Sequence, residues 1–387
     1  MSTLITRLNS ELKGDKAIWG IMALLAVFSL LAVYSSTGTL AYRYSGGDTE
    51  IYLLKHGLIL LGGMFLAYVC HLFDYMTFSK AAPFMLLLAI PLLVYTLGYG
   101  TEVNQARRWV EVPFIGMTFQ SSDFARLALI LYVSRVISSK QDLIKDFNGA
   151  FLPIIVPVLI ICGLIAPADL GSALVLFFTA VLMMFVGRVS VPYILLLLLL
   201  GIVGFAVLIV LGDFTDIIRS DTWVNRIQEF TSDPEGVYQA QQAKIAIANG
   251  GWIGLGPGNS IQRNYLPSAH ADFIYAIICE EYGLIGGGIV IGLFVLFFFR
   301  ITRIVTKSPK AFGAMAVIGL GVSLLINAFI NIAVSVHLVP ITGLTLPLIS
   351  KGGTSILFTC ISIGIILSVS KFVDSINNTA SILEDEF

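Results

Sequence analysis

Three carboxylates lie close together where a polar segment of the sequence gives way to a long apolar run. The stretch is YLPSAHADFIYAIICEEYG, Tyr265 to Gly283, with Asp272 at the junction and Glu280 and Glu281 inside the apolar run. A carboxylate at the edge of a hydrocarbon layer is costly unless it has a partner or a chemical role. Apolar neighbours raise the pKa of such a group toward neutral pH, which suits a general base. Asp272 is therefore a candidate base, with a helix N-cap as the equally weighted alternative.

Glu280 follows Asp272 by eight residues, which on a helix is about 12 Å deeper and roughly 80° around the axis. Glu281 faces nearly the opposite way. We expect at least one of the two to point into the bundle, where it pairs with a cation or lines a cavity. Glu280 is accordingly a candidate substrate-binding residue, with structural pairing as the more ordinary role for each.

Cationic side chains cluster in a second stretch, TEVNQARRWVEVPFIGMTFQSSDFARLAL at 101–129. Arg107 and Arg108 form a patch that suits phosphate, because a guanidinium binds it through two N–H groups at once. Asp123 and Arg126 are three residues apart, so on a helix they share one face and can pair. The pair is either an internal salt bridge or a second anchor for an anionic substrate.

Three further polar features have ordinary structural explanations beside functional ones. Lys351 ends a loop rich in Pro and Gly at 338–356, and a lysine there can reach the membrane interface or hold a phosphate. Asp169, at a tight turn, is typical of a helix cap. The glycines of GGWIGLGPGNS at 250–260 indicate a tightly turning loop, because no GK[ST] or βαβ unit accompanies them. His270 and Asp272 are two potential ligands, which do not make a metal site.

The composition identifies the setting of these residues. The 387-residue chain is 57% hydrophobic and 12% charged, with a mean hydropathy of +0.90. Soluble proteins carry roughly 25% charged residues, so we predict a polytopic membrane protein. The net charge of −1 argues against a nucleic-acid partner. The four cysteines show no CxxC spacing, which disfavours disulfides and zinc.

Ten apolar runs predict an all-α integral membrane protein, a polytopic bundle of about ten transmembrane helices. A spanning helix needs about 20 apolar residues, and only the fourth run, which carries Arg126 and Arg135, is short and charged. The runs cover approximately 17–36, 52–73, 82–98, 123–138, 151–167, 170–187, 191–212, 272–299, 313–336 and 353–372.

Basic residues in the short loops predict the orientation, because cytoplasmic loops carry the excess of Lys and Arg. With the N-terminus inside, residues 1–16 form a cytoplasmic lead and residues 373–387 an acidic cytoplasmic tail. The inside loops then hold Lys80, Lys140, Lys145, Arg188, Arg300, Arg303, Lys307 and Lys310, against Arg43, Arg107, Arg108 and Lys351 outside.

One connection is much longer than the others. Residues 213–271, between the seventh and eighth spans, form a large extracytoplasmic loop, within which VYQAQQAKIAIA predicts a helix. Loops of this length are usually functional. We predict one membrane domain over residues 1–387.

Together these stretches resemble the SEDS family of bacterial wall synthesis, which comprises RodA, FtsW and SpoVE. The resemblance covers the chain from the first span to the last, and GLTLPLIS is more similar to the FtsW branch. The residues that carry it are RRW at 107–109, FQSSDFAR at 119–126, ADLGSA at 168–173, GNSIQRNYLPSAHADFIYAIICEEYG at 258–283 and TGLTLPLISKGGTS at 342–355.

The chain departs from the family pattern at several of these positions. The family's PSE-x-x-K is replaced by Ser121, Ser122, Asp123 and Arg126, and its SYGG by a sequence that contains Lys351. The context of Asp272, LP-x-x-H-x-DFI, is intact. The resemblance therefore supports Asp272 more strongly than Asp123 or Lys351.

The resemblance implies a peptidoglycan glycosyltransferase that polymerises lipid II at the outer face of the bacterial cytoplasmic membrane during division. Its expected partners are a class B penicillin-binding transpeptidase, other divisome proteins and membrane lipids. Asp272 would be the base for the acceptor hydroxyl, and attack opposite the leaving group would invert the anomeric carbon. The pyrophosphate would be held by Arg107, Arg108, Lys351 or a divalent cation such as Mg or Mn, so the cofactor stays open.

Two hypotheses from other functional classes remain. A lipid II flippase would also use ten spans with buried charges, but would distribute them through the membrane depth. A non-catalytic divisome scaffold would activate its transpeptidase without an essential Asp272.

Overall fold

Each apolar run of the sequence forms a helix in the computed structural model, which describes residues 13–38, 49–103, 106–111, 118–212, 220–232 and 237–385. The helices are α1 (Lys16–Ser36), α2 (Thr49–Leu72), α3 (Tyr75–Tyr99), α4 (Ser121–Ser139), α5 (Leu152–Ile165), α6 (Leu170–Val186), α7 (Val191–Gly212), α8 (Ser220–Ser232), α9 (Tyr238–Gly250), α10 (Ile274–Lys307), α11 (Ala311–Ser335) and α12 (Thr354–Asp385). A 3-10 turn (Gln141–Leu143) and a π turn (Phe147–Phe151) join α4 to α5, and a 3-10 turn (Gln262–Asn264) precedes α10.

Ten of these helices, all but α8 and α9, correspond to the predicted spans. Within the described ranges, eight are long and apolar enough to cross a membrane. The other two are α6, which has 17 residues, and α4, which carries Asp123, Arg126 and Arg135. The predicted polytopic helical bundle is therefore confirmed, with α4 as the polar member that the fourth run indicated.

Helices α11 and α12 form the centre of the bundle. Their apolar segments are 67% and 72% buried, whereas that of α7 is 11% buried. Small residues let α12 approach α2 closely, since a Cβ on Gly364 would lie 2.5 Å from the Ala67 carbonyl oxygen. Close contact of this kind is typical of packing between membrane helices. The central position of α11 and α12 means that the loop between them, residues 336–353, emerges at the middle of one face.

The two ends of the bundle carry different polar groups. At one end, which we call the Asp15 face, Asp15 caps α1 and pairs with Arg300 at 2.6 Å. At the same face Lys371 of α12 donates to the His71 carbonyl at the end of α2 at 2.8 Å, so α2 and α12 also reach this face. The opposite end, which we call the Asp272 face, carries Asp272 and the long connection.

Residues at the Asp272 face form structure that the sequence did not predict. Three antiparallel strands, β1 (Thr101–Val103), β2 (Ala106–Glu111) and β3 (Thr118–Gln120), form a small sheet in the order β1-β2-β3. Strand β2 contains the predicted cationic patch, and Trp109 pairs with Gln120 of β3. The strands are too short to give a clear alternation of apolar and polar residues, which is the sequence signal for a strand.

The long connection between α7 and α10 contains two helices in its described part. The predicted helix within VYQAQQAKIAIA is present as α9, whereas α8 was not predicted. The lead at 1–16 lies mostly outside the described residues. The tail at 373–387 begins as a continuation of α12, which extends to Asp385.

Candidate active site

A polar cleft of about 310 Å³ opens at the Asp272 face. It lies between strand β2, the turn before α10, helix α8 and the loop between α11 and α12. Five of the seven predicted site residues line it: Arg108, Asp123, Arg126, Asp272 and Lys351. The other lining residues with polar side chains are Trp109, Gln120, Asp169, Ser172, Arg226, Ser268, His270, Asn327, Thr345 and Ser355.

Asp272 lies in the turn directly before α10 and does not cap it. The N-cap residue is Phe273, with no side-chain hydrogen bond, and within the described part of the chain no hydrogen bond reaches the Asp272 carboxylate. The helix-cap alternative is therefore wrong for Asp272. A half-buried carboxylate at a cleft wall with free lone pairs can instead accept a hydrogen bond from a bound hydroxyl.

The electrostatic surroundings of Asp272 favour a base that works near neutral pH. Burial raises the pKa of Asp272 from its ordinary value of 3.8 to about 6. The positive charges of Arg108 and Arg226 lower the pKa, and the negative charge of Asp169 raises it. The carboxylate is thus ionised at pH 7 but basic enough to draw a proton from a hydroxyl that loses it in the transition state.

The loop between α11 and α12 fixes the backbone around Asp272. Ser350 donates its hydroxyl to the Ala271 carbonyl at 2.6 Å, and the Lys351 amide donates to the His270 carbonyl at 2.9 Å. Asn331 of α11 donates to the carbonyls of Asp272 at 2.9 Å and Leu344 at 2.7 Å. The turn is therefore held by hydrogen bonds from central elements of the bundle, which positions the carboxylate.

Arg108 is oriented by the turn before α6. Its Nη1 lies 3.5 Å from the Asp169 carboxylate, and its Nε donates to the Ala168 carbonyl at 2.7 Å. Asp169 caps α6 through the Ser172 amide at 3.1 Å and also accepts from the Ser172 hydroxyl at 2.9 Å. The predicted cap at Asp169 is confirmed, and the cap also holds an arginine at the edge of the cleft.

Arg226 is a cleft residue that the sequence did not single out. It lies on α8, and its guanidinium donates to the Ile341 carbonyl at 2.9 Å. Burial, followed by the nearby charge of Arg108, lowers the pKa of Arg226, as expected for two cations that share one site. The only local signal was an arginine within the polar sequence SDTWVNRIQEFTS, whose composition is typical of a surface loop and does not indicate a cleft.

Asp123 and Arg126 lie deeper, where the cleft continues into a second, small space of about 30 Å³ between α4, α11 and α12. They share one face of α4, as predicted. The salt-bridge alternative is not observed, since the described residues contain no ion pair within 4.0 Å between Asp123 and Arg126. Oδ2 of Asp123, Oδ1 of Asn327 and the Ser323 hydroxyl are buried without a partner among the described residues, so this space presents unused hydrogen-bonding groups.

Lys351 reaches the cleft from the side of α2. Its ammonium group lies 4.1 Å from the centre of the Tyr52 ring, a distance at which the ring face attracts a cation. Burial and the nearby charge of Lys55 lower the pKa of Lys351 to about 8. A lysine held in this way remains mainly protonated at pH 7 and can contact an anion in the cleft.

Two predicted site residues lie elsewhere. Arg107 is exposed on the other side of strand β2, where its guanidinium donates to the Gly98 carbonyl at 3.2 Å. Successive residues of a strand point to opposite faces, so only Arg108 of the pair can face the cleft. Glu280 is fully buried.

The carboxylate of Glu280 is already used by the glycine-rich loop. It accepts hydrogen bonds from the Ser260 hydroxyl and from the amides of Ile261 at 3.3 Å and Gln262 at 3.2 Å. Substrate binding by Glu280 is therefore corrected to a structural role. The spacing from Asp272 could not show this, because it does not reveal which neighbouring loop covers the helix.

The described residues contain no group of three or more His, Cys, Asp and Glu side chains that could hold a metal ion. The cleft carboxylates are dispersed among four cationic side chains, those of Arg108, Arg126, Arg226 and Lys351. The described cleft residues therefore do not group carboxylates in the way that a resident divalent cation requires.

A multi-pass membrane bundle with a charged cleft at one face defines the class of protein. The family model for cell cycle proteins of the FtsW/RodA/SpoVE type matches residues 15–375. The chain therefore belongs to the FtsW/RodA/SpoVE family, as the motifs indicated, and is a multi-pass protein of the bacterial inner membrane.

Similar proteins cover nearly the whole chain. A protein of Nitrosococcus halophilus named probable peptidoglycan glycosyltransferase FtsW is 37% identical over 84% of this chain and 84% of its own length. A protein of the same name from Trichlorobacter lovleyi is 34% identical over 92% of this chain and 93% of its own length. These relatives confirm the predicted similarity to the FtsW branch.

Two solved structures share the fold. One is a chain from a peptidoglycan synthase complex that coordinates polymerization and crosslinking, with a TM-score of 0.71, 22% identity and coverage of 93% of this chain and 98% of that one. The other is the rod shape determining protein RodA of Thermus thermophilus, with a TM-score of 0.66, 21% identity and coverage of 92% and 97%.

Proposed function

We infer that this protein is a peptidoglycan glycosyltransferase that polymerises lipid II into glycan strands at the outer face of the cytoplasmic membrane during cell division. The observation that carries this inference is the unpaired Asp272 carboxylate in a cleft lined by four cationic side chains. The name borne by relatives that match most of the chain supports the same activity.

Asp272 is assigned as the general base. It accepts the proton of the acceptor sugar hydroxyl while the hydroxyl oxygen attacks the anomeric carbon of the donor. The bond from that carbon to the lipid pyrophosphate breaks as the new glycosidic bond forms. Attack from the side opposite the leaving group inverts the anomeric configuration.

The cationic side chains stabilise the leaving pyrophosphate. Arg108 is pre-oriented by Asp169 and Ala168, and Arg226 by Ile341, so neither needs to reorganise when negative charge develops on the departing oxygen. Fixed charges of this kind are usually the largest contribution to stabilising such a transition state. Lys351 and Arg126 extend the positive charge along the cleft.

The orientation and partners follow from the same proposal. The Asp15 face is cytoplasmic, with both termini inside, because it carries the basic connections at 140–145 and 300–310. The Asp272 face is then the outer one, where lipid II meets its acceptor. A class B penicillin-binding transpeptidase crosslinks the product, and the two act with other divisome proteins at the septum.

The flippase and scaffold hypotheses make different demands on the cleft. A transporter needs a polar path that opens at both faces, whereas Asp272, Asp169, Arg108 and Lys351 all lie at one face. A scaffold needs no base, and would not require a carboxylate with a pKa raised toward neutrality.

One reconstitution distinguishes the three activities. The protein is placed in vesicles with fluorescent lipid II and its cognate transpeptidase, whose crosslinking is blocked by a β-lactam. We expect glycan strands of many disaccharides on a gel. Movement of labelled lipid across the bilayer without polymer would identify a transporter. Stimulated crosslinking in an unblocked sample, with polymer supplied by another synthase, would identify a scaffold.

A further inference from the structure

Helix α10 is interrupted at Gly283, whose φ of 68° is outside the helical range. The glycine-rich loop makes four backbone hydrogen bonds with α10 on the two sides of the interruption. The amides of Leu284 and Ile285 donate to the carbonyls of Gly251 at 2.9 Å and Trp252 at 3.2 Å. In return, the carbonyls of Glu280 and Glu281 accept from the amides of Leu255 at 2.9 Å and Gly256 at 3.0 Å.

Glycine is required on both sides of this contact. A Cβ on Gly250 would lie 1.9 Å from the Cys279 carbonyl oxygen, and one on Gly254 would lie 2.1 Å from that of Glu281. A Cβ on Gly283 would lie 2.3 Å from the Trp252 carbonyl oxygen. The loop at 250–256 is therefore fixed against α10 at the level of Gly283 by backbone contacts, and its side chains are free to point away.

Two polar layers give the depth of this level in the membrane. At the Asp15 face, Asp15 pairs with Arg300. Toward the other face, Ser35 of the same helix α1 donates its hydroxyl to Glu281 of the same helix α10. Asp15 and Ser35 are 20 residues apart, and Glu281 and Arg300 are 19 apart.

Both separations correspond to about 28–30 Å of helix, the thickness of a bilayer's hydrocarbon core. Two helices thus independently place the Ser35–Glu281 layer at the hydrocarbon boundary nearer the Asp272 face. Gly283 and the loop bound to it lie at this boundary. The break at Gly283 changes the course of α10, so the turn before α10 does not continue outward from this boundary. Ser350 bonds the Ala271 carbonyl, and the adjacent Ile349 carbonyl accepts from Ser29 of α1 at 2.9 Å. Asp272 therefore lies near the level of Ser29, just inside the boundary.

The tip of the loop exposes large apolar side chains at that depth. Trp252 is 74% exposed and Ile253 is 81% exposed, and the two lie next to the lipid-facing side chains of Leu284 and Ile285, which are 45% and 55% exposed. Tryptophan concentrates at membrane–water boundaries, where its ring is apolar and its N–H stays hydrated. The exposed tip therefore continues a surface that already faces lipid.

We propose that Trp252 and Ile253 form a membrane anchor, which inserts into the leaflet at the Asp272 face and holds the long connection at a fixed height above the bilayer. The occupant of this surface is lipid, at the boundary between headgroups and acyl chains. The loop is bonded to α10 between Glu280 and Ile285, six to eleven residues after Ile274. The anchor therefore links the position of the cleft to the depth of the membrane. The proposal rests on the membrane fold and not on the glycosyltransferase activity.

Spin labelling tests the anchor. The chain carrying Cys70→Ala receives a nitroxide at Ile253→Cys, since the other three cysteines are buried. It is reconstituted in nanodiscs of phosphatidylethanolamine and phosphatidylglycerol. The rate at which the nitroxide collides with oxygen, which partitions into lipid, is compared with the rate at which it collides with a water-soluble nickel chelate. We expect the label at Ile253 to favour oxygen at least about tenfold more than an aqueous site does.

Two matched sites calibrate the measurement. Asp142→Cys lies in the polar connection between α4 and α5 at the Asp15 face, where Asp142 is exposed, and should behave as an aqueous site. Leu199→Cys on α7, 56% exposed, should behave as a lipid-facing site.

Two results would overturn the anchor. One is a label at Ile253 that is as accessible to the nickel chelate as the label at Asp142. The other is shielding of Ile253 only after the transpeptidase is added, which would assign the surface to a protein partner. If the labelled variant does not fold, quenching of tryptophan fluorescence by brominated lipids is measured in the native sequence and in Trp252→Phe. The anchor predicts that part of the lipid-quenched fluorescence is lost in Trp252→Phe.

Discussion

The raised pKa of Asp272 makes the pH dependence of polymerisation a demanding prediction. If Asp272 is the base, only its ionised form is active, and the pKa of about 6 determines where activity is lost. Above that pH the rate is at its plateau, and below it the rate falls in proportion to the ionised fraction. An aspartate with its ordinary pKa would keep its activity to much lower pH.

The size of the effect separates the two cases clearly. With a pKa of about 6, half of the activity remains at about pH 6 and about a tenth remains at about pH 5. With the ordinary pKa of 3.8, more than about 90% would remain at about pH 5. The two expectations therefore differ about ninefold at one accessible pH.

The assay measures kcat/KM with fluorescent lipid II between about pH 5 and pH 8, because this ratio reports the ionisation of the free enzyme. Arg226→Gln provides an internal test, since the positive charge of Arg226 lowers the pKa of Asp272. Its removal should move the midpoint to higher pH after each profile is scaled to its own plateau. Arg303→Gln, an exposed arginine near the Asp15 face, should leave the midpoint unchanged.

A profile that stays flat to about pH 5, or a midpoint that is the same in wild type and Arg226→Gln, would refute this reasoning. The first would show that the carboxylate is not desolvated or is not the base. The second would show that Arg226 does not act on the reacting group.

Four further changes have distinct expected outcomes. Asp272→Asn should raise the melting temperature in detergent at neutral pH. A carboxyl whose folded-state pKa lies above its unfolded-state value makes the protein less stable as pH rises through that interval, by at most about 3 kcal/mol here. A wild-type melting temperature that does not change between about pH 5 and pH 7.5 would contradict this expectation. Arg108→Lys should lower kcat/KM about 100-fold, since lysine cannot bond both Ala168 and Asp169, and a wild-type value would remove Arg108 from the mechanism. Ser350→Ala should lower kcat with little change in KM, because it frees the turn at Ala271, whereas a rise in KM alone would indicate a binding role. Glu280→Ala should lower the free energy of unfolding by about 2–4 kcal/mol, because three hydrogen-bond donors lose their acceptor. Thermal unfolding measures this loss, and an unchanged melting temperature would contradict the structural role.

Much of the fold follows from apolar runs of spanning length. Each run became a helix because a segment in lipid must satisfy its own backbone groups. The sheet at 101–120 was missed, since its strands are three to six residues long and pair only with each other. The helix α8 was missed because its polar composition is also typical of a loop.

A site residue could be predicted where its type and its immediate sequence neighbours were enough to indicate its role. Asp272 could be identified because an acidic side chain beside a long apolar run demands a physical reason. Arg226 could not, because its position depends on how the long connection folds over the bundle. Glu280 was wrongly predicted to bind substrate, because the loop that hydrogen-bonds its carboxylate is about 20 residues earlier in the chain and its position there was not predicted.

The depth of the site also required the structure. The sequence placed Asp272 at the hydrocarbon edge, where the apolar run begins. The paired layers Asp15–Arg300 and Ser35–Glu281 place that edge near Gly283. The break in α10 at Gly283 and the contact of Ile349 with Ser29 then set Asp272 just inside the edge, beside the loop between α11 and α12.

The assignment of Asp272 as the base is tested most directly by glycan synthesis with the Asp272→Asn protein. Wild type, Asp272→Asn and the control Asp142→Asn, an exposed carboxylate on a connection at the Asp15 face, are purified with the cognate transpeptidase and given fluorescent lipid II. We predict glycan strands from wild type and Asp142→Asn, and none from Asp272→Asn at an equal or higher melting temperature. Strands of normal length and yield from folded Asp272→Asn would contradict the account.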